Sequence, residues 1–283
     1  MKRIGLLLAV IMVAAGLLGC ARSKGAIQIK GSDTMVNLGQ AWAEEFMKKY
    51  PDIPVAVTGG GSGTGIASLI NGTTDIAECS RSMEKNEITL AQKKGVFPYE
   101  TEVAYDGIAV VVALQNPISK LTIQQISDIF SGKITNWKDV GGADKKIVGL
   151  SRDRNSGTHV FFLEHVVKMS KKENTREFAK SVLMMPSNQA IVEEVSSNPD
   201  AIGYIGLGYL SDKLKAIAVA KDESSVYVTP SVQSVKDKSY SVSRPLYMYT
   251  NQEPAEEIKT FIDYVLSEEG QKIVLEMDFV PLK

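Results

Sequence analysis

Arg152, Ser156, Gly157 and Thr158 share one short run, Ser151-Arg152-Asp153-Arg154-Asn155-Ser156-Gly157-Thr158. Apolar Ile147 to Leu150 precede it, and Val160 to Leu163 follow with a helix-like pattern. The run therefore sets a guanidinium and a hydroxyl-glycine-hydroxyl turn at a helix start, where backbone N–H groups lack internal partners and the helix dipole is positive. That is a place for an anion. The planar fork of Arg152 matches two oxyanion oxygens, which a lysine cannot do. Ser156 also suits a plain N-cap, and Arg154 reads as solvent-facing or paired with Asp153.

Three other stretches carry hydroxyls beside glycine or arginine: Gly31-Ser32-Asp33-Thr34, Gly59 to Gly65 around Ser62, and Ser80-Arg81. The glycine run fails the nucleotide patterns. No Lys-Ser/Thr follows its second glycine, and Thr64 or Ile66 stands where the third glycine of a dinucleotide fingerprint belongs. A nucleophile elbow at Ser62 fails because Thr64, not glycine, lies two residues on. What remains is either an anion-wrapping turn at a helix start or a tight turn that uses glycine for conformation alone. Arg81 fits an anion ligand or a surface or interlobe ion pair. His159 and His165 are about 240° apart around a helix, so they do not share a metal-binding face, and no cofactor or metal is expected. Asp33, Asp75, Glu78 and Asp153 near the loops could act as acid or base, or accept a proton carried by a ligand.

These loops need elements to hold them. Ile27 to Ile29, Pro54 to Val57 and Asp75 to Ala77 read as short strands. Met35, Leu38, Trp42 and Phe46 repeat at helical spacing, and Ile66 to Ile70 is helical. Successive strand, loop and helix units predict a parallel α/β sheet with ligands beyond the strand carboxyl ends, where Ser32, Ser62 and Ser80 lie. A long apolar strand covers Glu102 to Gln115, with its apolar run at Val103 to Val112 and Asn116-Pro117 as its stop. A second α/β series starts at Leu121, with a helix through Phe130, a helix from Ser187 and a strand at Ile202 to Ile205. Polar Ser224 to Ser243 reads as a connection back to the first unit, followed by an apolar strand at Arg244 to Tyr249 and helices at 256–265 and 268–275.

The 283 residues suffice for two moderate lobes. Lys2 and Arg3 precede an apolar run, Ile4 to Leu18, that is shorter than the roughly 20 residues of a spanning helix and has the form of a secretory leader. Leu17-Leu18-Gly19-Cys20 resembles a bacterial lipobox, which implies a leader over 1–19, lipid on Cys20 and a tether over 20–26. Cys79 is then the remaining thiol, and no internal disulfide forms. The net charge of −1 becomes −3 when Lys2 and Arg3 leave with the leader. No global field gathers anions or nucleic acid, so anion selectivity has to be local.

Taken in order, Gly31-Ser32-Asp33-Thr34-Met35, Gly61-Ser62-Gly63, Asp75-Ile76-Ala77 with Ser80-Arg81, Ile129 to Trp137, Arg152 with Ser156-Gly157-Thr158, Ala201 to Tyr204 and Ser243-Arg244-Pro245-Leu246-Tyr247 resemble the phosphate-binding proteins of bacterial phosphate ABC transporters, which are class II periplasmic-type solute-binding proteins. The resemblance implies a two-lobe fold, each lobe a mostly parallel sheet flanked by helices, with a two-strand hinge near Ile108 to Leu114 and Ser241 to Tyr247. Lobe 1 would span 27–112 plus 244–283, and lobe 2 would span 113–243. It also implies a phosphate site of Ser32, Thr34, the Met35 N–H, Ser62, Ser80 and Arg81 in lobe 1, with Arg152, Ser156, Gly157 and Thr158 in lobe 2. Better-known relatives carry an aspartate after the third strand that accepts the phosphate proton, and Ser80 stands there. The acceptor is then Asp33, Asp75, Glu78, Asp153 or a serine oxygen.

The implied protein is a monomeric, non-enzymatic, lipid-anchored receptor of the cell envelope. It binds inorganic phosphate tightly and sulfate weakly, serves a membrane permease and has no nucleic-acid partner. Competing readings are the same fold taking sulfate, molybdate or another oxyanion, a secreted phosphatase or esterase using Ser62 or Ser156, and an adhesion or sensory lipoprotein.

Overall fold

A strand of 16 residues, Pro98–Ala113 (β4), joins the two halves of the molecule in the computed structural model, which describes residues 25–171 and 173–282. The leader, Cys20 and most of the expected tether lie outside the described residues. Along its first part β4 pairs antiparallel with Ser243–Asn251 (β11), from Pro98 opposite Asn251 to Gly107 opposite Ser243. From Ile108 onward it pairs with Ala201–Gly206 (β8) and Leu214–Ala216 (β9) instead. The change of partner thus falls between Gly107 and Ile108, within the span 27–112 assigned from the sequence to lobe 1.

On one side of that exchange the sheet continues through Ile76–Cys79 (β3), Ile27–Gly31 (β1) and Val55–Thr58 (β2); on the other it continues through β8 to Val148–Arg152 (β6) and Leu183–Met185 (β7). Pairs β1–β2, β1–β3, β6–β8 and β6–β7 are parallel. Pairs of β4 and β11 with their neighbours are antiparallel. The two expected lobe sheets are therefore one ladder, continuous through β4. Lys120–Thr122 (β5) and Ala218–Ala220 (β10) form a separate parallel pair.

Side chains of β4 alternate faces, as extended backbone requires. Ile108, Val110 and Val112 join a core with Phe130, Phe162 and Tyr204, while Ala109 and Val111 face Leu150, Ile191 and Val195. The other lobe also has two cores, one around Trp42, Phe46 and Phe261 and one around Ile66, Leu69 and Tyr247. Helices cover both faces: Val36–Lys49 (α1), Ser62–Ile70 (α2), Lys85–Lys93 (α3), Ile123–Phe130 (α4), Gly157–Phe162 (α5), Asn188–Ser197 (α6), Val232–Lys236 (α7), Glu256–Leu266 (α8) and Glu268–Glu276 (α9). The stretch read as a polar connection, Ser224 to Ser243, contains α7, which Ser231 starts by capping the Ser234 N–H. Trp42 Nε1 donates to the Gly270 carbonyl at 2.8 Å and ties the first helix to the last. Among the described residues no helix is long and apolar enough to cross a membrane.

Candidate functional site

Three parallel strands end in loops that lead toward one buried cluster. After β1, the turn Ser32 to Met35 starts α1, with Met35 N–H donating to Ser32 O at 3.1 Å. After β2, Gly60 and Gly61 adopt φ of +124° and +96°, conformations that suit glycine, and Ser62 opens α2. After β6, Ser156 caps α5 by accepting the N–H groups of Thr158 and His159 at 3.2 and 3.4 Å. Three positive helix ends are brought toward the same place.

The hydroxyls meet there. Ser32 Oγ donates to Ser80 Oγ at 2.9 Å, and Ser62 Oγ lies 3.3 Å from Ser80 Oγ and accepts the Ser80 N–H at 3.0 Å. Thr34 Oγ1 and Thr158 Oγ1, 124 residues apart, are 2.9 Å from each other and bridge the lobes. Gly157 belongs to the same contact: a Cβ built on it would stand 2.4 Å from Ser62 Oγ and 2.6 Å from Ser80 Oγ. All these residues are buried. At the rim Asn155 closes the gap, donating from Nδ2 to Gly60 O at 2.8 Å and accepting the Gly63 N–H at 2.9 Å.

Two guanidinium groups enter the cluster. Arg152, 1 % exposed, contacts Asp33 Oδ2 across the lobes at 3.1 Å and donates to Pro186 O at 3.1 Å. The same Asp33 oxygen accepts the Asn188 N–H at 2.9 Å and Nδ2 at 2.7 Å. Arg244, 2 % exposed, pairs through Nη2 with Asp106 Oδ2 at 2.9 Å, and its Nη2 also donates to Thr158 Oγ1 at 2.9 Å and Thr34 Oγ1 at 3.4 Å. Asp106 Oδ1 accepts the Leu207 N–H at 3.0 Å. Burial works against both charges of this pair, pushing Asp106 up and Arg244 down, and each charge acts against that shift in the other. Arg152 Nε and Nη1 and Arg244 Nη1 are buried without a hydrogen-bond partner.

Of the residues expected at the site, Ser32, Thr34, Ser62, Ser80, Arg152, Ser156, Gly157 and Thr158 come together. Met35 does so only as a neighbour: its N–H closes the turn and its side chain is in the core. Arg81 is not brought in. Glu87 takes both ends of its guanidinium, at 2.8 and 2.7 Å, in a largely buried ion pair within lobe 1, neither the surface nor the interlobe pair expected, and this turns Arg81 away from the cluster. Glu78 is buried behind β3, where a Cβ on Gly39 would stand 2.4 Å from its Oε1, and burial pushes its carboxyl up to about 8.

Sequence reasoning missed Asn188 and Arg244 as site residues. Arg244 was visible as a cation opening an apolar strand, but nothing local says that the strand starts at the cleft. The hydrolase reading names Ser62 and Ser156, and the serine with a histidine beside it is another one, Ser151, whose Oγ lies 3.1 Å from His159 Nδ1. That serine has no exposure and is also held by Tyr204 OH at 2.6 Å, so it is a core group.

A family model described as a PBP superfamily domain matches residues 20–269. The phosphate-binding protein PstS of Pseudomonas aeruginosa is 32% identical over 275 residues, covering 91% of this chain and 83% of that protein. A structure from Clostridium perfringens, described as a phosphate ABC transporter substrate-binding protein with bound phosphate, superposes with a TM-score of 0.81 at 36% identity, covering 92% of this chain and 100% of that one. An ABC-type phosphate transport receptor from Vibrio cholerae gives 0.71 at 32% identity over 90% of this chain and 99% of its own. The chain belongs to the PBP superfamily and, within it, to the family of PstS-type phosphate-binding proteins.

Proposed function

We propose that this protein is an extracytoplasmic receptor that takes inorganic phosphate between its lobes and delivers it to the permease of an ABC importer. The carrying observation is the set of orphaned donors. Arg152 Nε and Nη1 and Arg244 Nη1 are buried and unpartnered amid six buried hydroxyls from both lobes, Ser32, Thr34, Ser62, Ser80, Ser156 and Thr158. Each buried N–H left unmade costs about 1–3 kcal/mol, and more on a charged group, and a compact tetrahedral oxyanion offers enough oxygens to satisfy them together.

Lobe 1 supplies Ser32, Thr34, Ser62 and Ser80, and lobe 2 supplies Arg152, Ser156, Thr158 and the N–H of Gly157. We take the lobes to divide at the partner exchange of β4, as 27–107 with 244–282 and 108–243. Anion contacts made from both sides exist in the closed form alone, so binding shifts the population toward closed. In this reading the chain is a non-enzymatic monomer, held to the membrane by lipid on Cys20 after removal of residues 1–19, and closure is the signal for the permease.

The test is calorimetric titration of the chain from Ala21 onward, which carries every element described above. Tight phosphate binding is expected, with at least ~100-fold loss in Arg152→Ala, the order of a charge-assisted bidentate contact. Absence of phosphate binding in the unmutated chain rejects the function. One observation favours a second reading, another tetrahedral oxyanion: Ser80 offers a neutral hydroxyl, not a carboxylate that repels a fully ionised anion. A sulfate titration separates the two, and sulfate binding as tightly as phosphate would select the second.

A further inference from the structure

Arg244 stands where the lobes meet. It sits on β11 directly opposite Asp106 of β4, one residue pair from the exchange of partners at Gly107 and Ile108. Asp106 Oδ2 accepts from both its Nε, at 3.3 Å, and its Nη2, at 2.9 Å, so the carboxylate occupies one edge of the guanidinium. Nη2 also reaches Thr34 Oγ1 of one lobe and Thr158 Oγ1 of the other, the hydroxyls that touch across the cleft. Nη1 is buried with no partner. Arg81 also keeps a buried Nε without a partner while it is bound to Glu87, so what marks Arg244 is an orphan placed among the cleft hydroxyls of both lobes, where an unsatisfied donor on a cation is costly. The Phe161 ring, 5.6 Å from Arg244 Cζ, walls the group without offering it an acceptor oxygen.

We propose that Arg244 is a second arginine ligand of the anion, oriented by Asp106, and that it and Arg152 make the site favour the doubly charged form of phosphate. This rests on the phosphate reading above. The carboxylates near the cluster are engaged elsewhere: Asp106 by Arg244 and the Leu207 N–H, and Asp33 Oδ2 by Arg152 and Asn188. Protons on the anion therefore fall to hydroxyls such as Ser80, and the form with fewer protons loses less. A guanidinium keeps its charge throughout, and it is worth more against two negative charges than against one.

The charged and titratable groups that act most on Arg244 are Asp106 of β4, Arg152 of β6 and Tyr204 of β8, and Arg81, Glu84, Glu164 and His165 line a cavity beside it. Asp33 lies beyond Arg152, and His165 stacks on the Phe161 ring. Tyr204 is pushed up to about 12 by burial, outside the range of the experiment. Glu78, at about 8, titrates within it. Comparing each variant with the unmutated chain at the same pH cancels the contribution of Glu78 and of every group that the substitutions leave in place.

The experiment is phosphate titration at about pH 6 and about pH 8, on either side of the anion's near-neutral ionisation, with Arg244→Gln, Arg244→Lys and the double variant Asp106→Asn/Arg244→Gln. The double variant leaves no unpaired buried carboxylate and guards against misfolding. Circular dichroism and melting confirm that each is folded. Phosphate affinity of the unmutated chain should rise with pH. Both glutamine variants should lose ~30-fold or more at the higher pH and several-fold less at the lower, with Lys recovering part of the loss. A folded double variant that binds within twofold of the unmutated chain at both values, or that loses the same factor at both, overturns the proposal and leaves Arg244 as a hinge brace. If the unmutated chain does not bind phosphate, it is the phosphate reading that fails.

Discussion

Arg81 and Arg152 look alike in the sequence, each at the end of a strand beside a serine, and the structure gives them opposite work. Arg81 donates two bonds to Glu87, whose Oε2 also accepts the Glu84 N–H and so helps cap α3. Arg81 leaves only its Nε unpartnered, whereas Arg152 has one contact to Asp33 and one to Pro186 O, with both Nε and Nη1 unpartnered. Arg81→Ala is thus expected to leave phosphate affinity within about threefold while lowering stability by about 2 kcal/mol, the size of a charged hydrogen-bonded contact. Titration paired with denaturant unfolding checks this. A tenfold loss of affinity at unchanged stability would return Arg81 to the site.

At the scale of elements, two helix starts depend on what stands behind or opposite them. Gly157, first residue of α5, faces Ser62 and Ser80 so closely that a methyl group would displace their hydroxyls. Gly157→Ala should therefore hinder closure, with phosphate affinity falling ~10-fold or more and the melting temperature without ligand changing little; an affinity equal to the unmutated chain's would show that the loops yield. Behind α1, Glu78 of β3 is buried with its Oε1 unpartnered and is pushed by burial from 4.5 up to about 8.

The sign follows from proton binding. Between those values the unfolded chain releases the Glu78 proton and the folded chain keeps it, so this residue's contribution, full below about 4.5, is lost as pH rises through about 8. In Glu78→Gln that loss is absent, and the variant should gain on the unmutated chain by several kcal/mol across the window. Denaturation curves at a series of pH values measure it. Parallel pH profiles for the two proteins would mean that Glu78 is ionised in the fold.

For the whole molecule, the two lobes hang on β4 and β11 and touch through Thr34 with Thr158, Arg152 with Asp33 and the Asn155 rim. A ligand held by both lobes couples closure to stability. Phosphate at a thousand times its dissociation constant should add about 4 kcal/mol, or about 10 °C in melting temperature for a chain of this size. Scanning fluorimetry reads this shift, and small-angle scattering should show the radius of gyration falling with it. A melting temperature indifferent to phosphate would contradict capture between lobes.

The order of strands and helices was legible because apolar patterning is local: Ile108 to Val112 sends alternate side chains into two cores whichever way the chain goes next. The hydroxyl loops were legible for the same reason, since each sits at the end of its own strand. Strands β5, β7, β9 and β10, with 3 residues each, carry too little alternation to be read. The sequence by itself determined the succession of units, the anion-binding residue types and the family. Tertiary structure decided which arginine joins the cluster, where β4 changes partner, and that Arg244 meets Asp106 from 138 positions away. Those facts are contacts between distant segments made by the packing of two lobes, and no local spacing encodes them.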